Sequence, residues 1–473
     1  MLFNSLEYMF FLPAVFVSYW SFKNNRKAQN IILLVSSYIF YGWWDWRFLS
    51  LILLSTVVDF YMGLKINDSQ NNKVRKSLLY VSILFNLSLL GFFKYYNFFI
   101  ESWIDLISSI GYEPKSVWTL NVILPVGISF YTFQTMSYSL DVYFKKIKPT
   151  KDFISFASFV SFFPQLVAGP IERASRLLPQ ILNSRKFNYK QSSSGLRLIL
   201  WGMFKKVVIA DSLAVRVDSI FDNYYSLDGG ILLLGLIYFS FQIYCDFSGY
   251  SDMAIGTAKL FGIELMSNFK FPYFSRNIGE FWRRWHISLS TWFRDYLYIP
   301  LGGSKKGRLA SLRNIFIIFV VSGFWHGANW TFIFWGIFHT ILFLPLFILN
   351  QNRRFTSLIV AENSALPSIK EFFQMFSTFL QVMIIWVFFR SPTLSDSFNY
   401  LSRLFKEFSI TNLLESKLIY VIIFVSIDWL WRKNERDPLK LENNHSRFLL
   451  YTLIFYAIIL NLNNENQFIY FQF

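Results

Sequence analysis

The feature that most constrains this chain is a series of long runs without a charged side chain. Three of them are Ser77–Phe93, Thr331–Leu349 and Phe448–Leu462, each about 15 to 20 residues long. A helix crosses the hydrocarbon core of a bilayer with ~20 predominantly apolar residues, or somewhat fewer at the short end of the range. Because short basic connections separate many runs of this kind, the sequence predicts an all-α polytopic membrane protein.

The composition supports this class. Of the 473 residues, 54% are hydrophobic, 21% aromatic and only 16% charged, whereas soluble globular chains carry about 25% charged residues. No polar stretch is long enough to build a separate soluble domain. We therefore expect a single transmembrane domain over residues 1–473, with about eleven spans on the ~20-residue criterion and some re-entrant and interfacial helices.

The net charge of +16 has two explanations. Nucleic-acid binding is one, but the Lys and Arg residues lie mostly between apolar segments, which is the pattern of cytoplasmic loops. We therefore predict no nucleic-acid partner. Met1–Trp20 has no basic start and contains Glu7, and the first basic residues follow at Lys23, Arg26 and Lys27. This order predicts a retained first helix with its N-terminus outside the cell.

Several segments depart from simple spans. Phe153–Gly169 is apolar, contains Pro164 and is flanked by basic residues on both sides, which predicts a dip into the membrane. Glu101–Thr119 is typical of an interfacial amphipathic helix. Asn314–Phe324 has about ten residues, too short to span, so we expect His326 to lie part-way into the bilayer.

His326 is the strongest candidate for a catalytic group. Its imidazole titrates near neutrality and can take a proton from a hydroxyl, while the alternative is a histidine that only bonds to a neighbouring helix. Polar groups at membrane depth tend to mark function. The glycines at 323 and 327 allow close approach by a ligand, and Asn329 is a candidate orienting amide. This context favours the functional interpretation.

His286 lies in the most basic part of the chain, Lys270–Arg313, which has nine Lys or Arg residues and is predicted to be cytoplasmic. The pattern predicts one helix on which Trp282, Trp285 and Leu289 share a face. One hypothesis makes His286 a second polar group of the site. The equally weighted alternative is an interfacial helix that grips anionic headgroups. In the first case a set of arginines suits the phosphates of a donor: Arg283, Arg284 and Arg294.

Two carboxylates, Asp246 and Asp252, lie in a largely apolar segment and need partners there. Pairing with an arginine is favoured over lining a cavity. Histidines and carboxylates do not cluster at metal-ligand spacing, so we expect no metal. The glycine-rich basic stretch Leu301–Gly307 matches no phosphate-loop rule and is interpreted as a flexible cytoplasmic turn. His339 lies in an apolar run, and we interpret it as structural.

The chain resembles the membrane-bound O-acyltransferase family, and most closely its alginate-type branch of bacteria, which acetylates polysaccharides. The resemblance covers nearly the whole chain, and its two histidine blocks are highly specific. The matching stretches are LPVGISFYTFQ at 124–134, SFFPQLVAGPIER at 161–173, YCDFSGYSDMAIG at 244–256, FWRRWHISLSTWFRDYLYIPLGG at 281–303, GFWHGANW at 323–330, WVFFR at 386–390 and FIYFQF at 468–473.

The resemblance implies a ring of about eleven tilted helices around a central funnel, with a catalytic core at about residues 122–345. It implies that His326 is the catalytic histidine and His286 the second one. The residues expected to contact substrate or donor around them are Asn329, Trp325, Trp285, Trp282, Arg283, Arg284, Arg294, Asp246 and Asp252.

The resemblance also implies an activity in the bacterial inner membrane, with the His286 block on the cytoplasmic side among membrane lipids. The donor would be a cytosolic thioester, most simply acetyl-CoA as a co-substrate, with no bound cofactor. The acetyl group would cross to an extracytoplasmic acetyltransferase of the SGNH type and then to a polysaccharide. Two alternatives are D-alanyl-type transfer from an acyl carrier protein to a cell-wall polymer, and a non-catalytic acyl or polysaccharide conduit.

Overall fold

The computed structural model describes residues 1–112, 119–120, 122–356, 359–406, 408–409, 415–462 and 468–469. All regular structure in these residues is helical. The chain divides into two compact units, one formed by Met1–Tyr189 with Ala258–Leu265 and the other by Lys190–Thr257 with Met266–Phe473. The prediction of a single domain over 1–473 stays a prediction.

The first unit consists of α-helices that pack around buried polar contacts. The carboxylate of Asp59 accepts hydrogen bonds from Ser82 at 2.5 Å, Asn86 at 2.8 Å and Ser139 at 2.9 Å, which ties three helices together in an apolar interior. The helices are α1 Leu6–Ser21, α2 Arg26–Asp45, α3 Leu49–Asp68, α4 Asn72–Leu90, α5 Tyr96–Ser109, α6 Ile128–Tyr143, α7 Phe153–Val160, α8 Phe163–Leu166 and α9 Ala174–Leu182.

The predicted dip at Phe153–Gly169 is not one continuous helix. Helix α7 ends at Val160, and the short helix α8 runs only from Phe163 to Leu166. The backbone N–H of Phe163 at this break donates to the hydroxyl of Ser37 at 3.0 Å. A buried break of this kind needs such a partner. The predicted interfacial segment Glu101–Thr119 falls on α5 up to Ser109, and its residues 113–118 lie outside the described residues.

The second unit contains the two histidine blocks. Its core is aromatic, with Trp285, Trp335 and Trp386 almost fully buried. Its helices are α10 Tyr189–Met203, α11 Asp211–Asp222, α12 Gly229–Leu260, α13 Ile278–Arg284, α14 Ile287–Phe293, α15 Arg308–His326, α16 Trp330–Ile348, α17 Ile369–Arg390, α18 Leu394–Leu404, α19 Leu418–Trp431 and α20 Asn444–Asn461.

Helices α15 and α16 form a hairpin that places His326. A Cβ at Gly323 would overlap the backbone oxygen of Phe332, and a Cβ at Gly336 would overlap that of Phe319. The two glycines therefore let the helices touch through their backbones. The prediction that Asn314–Phe324 is too short to span is wrong, because the helix begins at Arg308 and has 19 residues, of which the first turns are basic.

Membrane spans are identified by length and hydropathy. In the part of the chain that the structure describes, six helical stretches satisfy both criteria, and Phe153–Leu166 and Leu418–Trp431 are shorter apolar helices. The all-α polytopic class is confirmed, while the count of about eleven spans stays a prediction. The six stretches are Arg26–Asp68, Asn72–Ser109, Gly229–Leu260, Arg308–His326, Trp330–Ile348 and Ile369–Arg390.

Candidate active site

The chain turns sharply at His286. Helix α13 ends at Arg284, Trp285 is extended, and His286 has a left-handed backbone with φ of 42°. The prediction of one helix through this block is therefore wrong. Backbone hydrogen bonds to residues 268–270 replace those that a continuous helix would make here. The N–H of Lys270 donates to the oxygen of Arg284, and the N–H of Ile287 donates to the oxygen of Asn268, both at 2.9 Å.

The side chain of Asn268 holds the imidazole of His286. Its Oδ1 lies 3.0 Å from His286 Nδ1 and accepts from the Ser288 hydroxyl at 2.8 Å and the Ser288 backbone N–H at 3.4 Å. Its Nδ2 donates to Ser251 Oγ at 3.1 Å. A backbone N–H can only donate, so the atom that it meets is the amide oxygen, and this orients the amide.

The orientation of Asn268 determines the tautomer of His286. Because Oδ1 of the amide only accepts, Nδ1 of His286 carries the proton and Nε2 carries the lone pair in the neutral ring. The ring is fully buried, and burial lowers the pKa of His286 to about 3. A neutral His286 therefore presents Nε2 as a hydrogen-bond acceptor. A role of His286 Nε2 as a hydrogen-bond donor to an oxyanion would require a second proton on the ring.

His326 is held by aromatic packing. It is the last residue of α15, is 3% exposed, and is followed by Gly327. Its ring centroid lies 5.2 Å from that of Trp335 and 5.3 Å from that of Phe389. The rings of His286 and His326 have centroids 6.1 Å apart. The structure therefore brings together the two histidines that the sequence singled out.

Of the three predicted tryptophans, Trp325 contacts the histidine pair, and Trp285 and Trp282 belong to the aromatic wall beside it. The centroid of Trp325 is 5.9 Å from that of His286. Trp285 lies 5.1 Å from Trp386 and extends the aromatic wall. Trp282 lies 4.8 Å from the ring of His339, so His339 is a buried member of this wall, and its structural interpretation stays a prediction. Trp325 and Trp335 provide an apolar surface next to the imidazoles of His286 and His326.

The predicted arginines lie beside a cavity of about 670 Å³ next to α14. Arg283 donates to the backbone oxygens of Asn352 and Arg354 at 2.7 Å, Arg284 pairs with Glu280 at 2.7 Å, and Arg294 pairs with Asp295 at 2.7 Å. Six cationic side chains and two carboxylates line the cavity, together with three residues of α14. The cations are Lys270, Arg283, Arg284, Arg294, Arg432 and Lys433; the carboxylates are Glu280 and Glu435; the α14 residues are Ile287, Ser290 and Thr291.

The two aspartates of α12 form structural ion pairs, as favoured, but with lysines rather than an arginine. Asp246 lies 2.8 Å from Nζ of Lys206, and Asp252 lies 2.7 Å from Nζ of Lys205. Both lysines belong to the π-helical stretch Phe204–Ala210 between α10 and α11. Asp246 also accepts from the backbone N–H of Ile469 at 2.7 Å. These carboxylates therefore fix helices and the chain end.

Asn329 lies at the start of α16. Its Oδ1 accepts from the backbone N–H of Thr331 at 2.9 Å, and its Nδ2 donates to the oxygen of Pro392 at 2.9 Å. The first contact is that of an N-cap residue. The structure thus gives Asn329 a capping function in the loop after His326, and its predicted contact with substrate stays a prediction.

Sequence reasoning missed the polar group that positions His286. Asn268, Ser251 and Ser288 are all buried: Asn268 and Ser288 approach Nδ1 of that ring, and Ser251 accepts a hydrogen bond from Asn268. Their only sequence signal is that buried polar residues need partners. Nothing in the pattern pairs residue 268 with residue 286, since that contact depends on the turn between α13 and α14.

Comparison with known proteins identifies the family. The model of the membrane-bound O-acyltransferase family matches residues 38–385. The chain belongs to this family. The resemblance drawn from the two histidine blocks is therefore confirmed, and the protein is a multi-pass membrane acyltransferase.

Named relatives of this acyltransferase differ in what they act on. A probable alginate O-acetylase AlgI of Pseudomonas syringae is 40% identical over 83% of this chain and 73% of its own length. A peptidoglycan O-acetyltransferase of Helicobacter pylori is 38% identical over 85% of this chain and 79% of its own length. A teichoic acid D-alanyltransferase of Bacillus subtilis is 31% identical over 47% of this chain and 58% of its own length.

Proposed function

We propose that this acyltransferase takes an acetyl group from a cytosolic thioester, most simply acetyl-CoA, and passes it across the bacterial inner membrane for O-acetylation of an exported or cell-surface polysaccharide. The observation that carries the proposal is the pair of buried imidazoles 6.1 Å apart, with α14, the helix after His286, lining a cationic cavity. The likeness to alginate and peptidoglycan O-acetyltransferases over most of the chain supports acetyl transfer to a polysaccharide.

The cavity supports a thioester donor that carries phosphates. Guanidinium groups suit planar, multi-dentate contacts with phosphate oxygens. The volume of about 670 Å³ falls in the range of small-molecule sites. In this proposal the phosphates of the donor lie among Arg283, Arg284 and Arg294, and its thioester reaches the histidine pair past Ser290 and Thr291.

In the transfer step, His326 accepts the proton of an acceptor hydroxyl while that oxygen attacks the thioester carbonyl. The tetrahedral intermediate collapses by cleavage of the carbon–sulfur bond. The CoA thiolate leaves, and the proton held by His326 passes to it, so the products are an O-acetyl ester and a free thiol. The hydroxyl proton goes to His326, so His286 Nε2, held as an acceptor by Asn268, receives its hydrogen bond from another N–H or O–H group of the bound substrates. The aromatic wall keeps water from hydrolysing the thioester.

The acceptor hydroxyl belongs, in this proposal, to an extracytoplasmic acetyltransferase of the SGNH type, which hands the acetyl group to the polysaccharide. This arrangement requires the N-terminus outside and the His286 block on the cytoplasmic side. D-alanyl transfer is the second candidate, but the relatives of that kind cover less than half of this chain. The acetyl donor is therefore the better supported of the two.

The direct test uses purified protein in nanodiscs, supplied in separate reactions with radiolabelled acetyl-CoA, acetyl-loaded carrier protein and D-alanyl-loaded carrier protein. The extracytoplasmic partner and oligosaccharide are added as acceptors, and both thiol release and label in the acceptor are measured. We expect transfer from acetyl-CoA by wild type and near-complete loss in His326→Ala. Transfer from the D-alanyl carrier alone would assign the second function. Flux of label that persists without His326 would contradict the proposed chemistry.

A further inference from the structure

A second cavity lies outside the histidine site, at the end of the α15–α16 hairpin that is opposite His326. It has a volume of about 650 Å³. Among the described residues, its lining combines two arginines and no carboxylate with an apolar wall that continues along both helices. The residues that carry the argument are Ser304, Arg308, Arg353, Ile315, Phe343 and Phe347.

The polar rim of this cavity is built by the glycine-rich stretch Leu301–Gly307. The buried side chain of Asn314 donates to the oxygen of Gly303 at 3.2 Å, and the Ser311 hydroxyl donates to the oxygen of Gly307 at 2.9 Å. The backbone of Gly302 has a φ of 106°, which only glycine adopts readily. These contacts connect the stretch to α15, Ser304 lies on this rim, and the expectation of a flexible turn stays a prediction.

The apolar wall belongs to membrane-spanning helices. Ile315 lies two turns into α15, and Phe343 and Phe347 lie in the last turns of α16. Both helices meet the length and hydropathy of a span. The side chain of Arg308 donates to the backbone oxygen of Ile348 at the end of α16, which keeps this cation at the boundary between the polar rim and the apolar wall.

We propose that this cavity binds an anionic glycerophospholipid, with the phosphate at Arg308, Arg353 and Ser304 and the start of an acyl chain along Phe343, Phe347 and Ile315. Basic pockets between spans at the cytoplasmic face suit acidic lipid headgroups. A free phosphate would fill only part of about 650 Å³ and would leave the three apolar side chains without a partner. The proposal is independent of the acyl-transfer reaction.

The test is lipid titration of delipidated protein followed by native mass spectrometry. The lipids are phosphatidylglycerol and phosphatidylcholine with the same acyl chains. We expect one phosphatidylglycerol to bind at least tenfold more tightly than phosphatidylcholine. Arg308→Gln/Arg353→Gln should weaken this binding about tenfold or more, and Arg353→Gln alone should weaken it while the Arg308 contact to α16 is kept. Equal binding of the two lipids would overturn the proposal.

Matched controls distinguish three contributions to binding: the charge of the two arginines, the acyl chain of the lipid, and the source of the phosphate. Lys73→Gln/Lys151→Gln removes two exposed cations outside the cavity and should leave phosphatidylglycerol binding unchanged. Phe343→Ala/Phe347→Ala should weaken binding of the lipid but not of glycerol 3-phosphate. Glycerol 3-phosphate that binds as tightly as the lipid would overturn the role of the apolar wall. Competitive displacement of the lipid by CoA would overturn the assignment and make the cavity part of the donor site.

Discussion

His286 and His326 lie next to each other, but the contacts described for the two rings differ in kind: a hydrogen bond to an amide for His286, and aromatic packing for His326. Three hydrogen bonds to one amide oxygen hold His286 and its neighbour Ser288, on a backbone turn between two short helices. Packing against aromatic rings at the end of a 19-residue helix holds His326. The first arrangement selects one tautomer. The second restricts the position of the ring through aromatic packing.

Among substitutions of the residues around the two histidines, Asn268→Ala is expected to lower kcat most. The substitution removes the acceptor for His286 Nδ1 and Ser288 Oγ, so the ring can adopt the other tautomer. We expect kcat to fall about 10- to 100-fold, as when an outer partner of a functional histidine is removed, with little change in the KM of the donor.

The control is Ser251→Ala, which removes only the partner of Asn268 Nδ2 and should lower kcat severalfold at most. Both variants are compared at equal amounts of monodisperse protein. If Asn268→Ala retains the kcat of wild type, His286 does not depend on its tautomer.

A second test replaces the amide by a carboxylate. Among the described residues, the ring neighbours of His286 are the uncharged Phe247, Phe269 and Trp325 and the titratable imidazole of His326. Burial lowers the pKa of His286. In Asn268→Asp, a carboxylate beside Nδ1 stabilises the protonated ring and raises the pKa of His286, by about 1 to 3 units. More of the enzyme then carries protonated His286 at a given pH.

If the neutral ring is the active form, the acid limb of the pH profile of kcat must move to higher pH in Asn268→Asp, and activity must recover as the pH is raised. The profile is measured over the range in which wild type stays folded. A rise of activity near neutral pH would instead mean that His286 works as a protonated donor, which would reverse its role in the account.

A smaller effect is expected at the cationic cavity. Lys270→Gln and Arg294→Gln each remove one of six cations, and the side chains of Lys270 and Arg294 are 50% and 59% exposed. Screened contacts of this kind are worth about 0.2–1 kcal/mol each. We therefore expect the KM for acetyl-CoA to rise about two- to fivefold with kcat unchanged, and the difference from wild type to shrink at high salt.

Lys73→Gln, which removes an exposed cation outside this cavity, is the matched control and should not alter KM. A loss of kcat without a change of KM in Lys270→Gln or Arg294→Gln would place these side chains in the transfer step instead of donor binding.

The sequence was sufficient for the features that depend on local pattern. The uncharged run Thr331–Leu349 predicted α16 at Trp330–Ile348 nearly to its ends, and the run Phe448–Leu462 predicted most of α20 at Asn444–Asn461. The histidine blocks predicted a pair of rings, which the structure brings together. These features follow from hydrophobic length and from the cost of polar groups among apolar ones.

The features that were mispredicted depend on contacts between distant residues. The pattern at Trp282, Trp285 and Leu289 is that of a helix, but hydrogen bonds to residues 268–270 break it at His286. Lysines from a π-helical stretch, rather than arginines, neutralise the carboxylates of α12. No periodicity in the sequence reports such pairings.

The central claim is that His326 is the proton acceptor of an acyl transfer, and a comparison of three histidine variants tests it most directly. His326→Gln, His286→Gln and His339→Gln are reconstituted at equal amounts, and thiol release from acetyl-CoA is followed with the acceptor present. His339 is a fair control because it is fully buried in the same aromatic wall. We predict a loss of about 10² to 10⁴ in kcat for His326→Gln, and wild-type turnover per folded molecule for His339→Gln. Wild-type turnover by His326→Gln, with loss in His286→Gln, would contradict the account and make His286 the base.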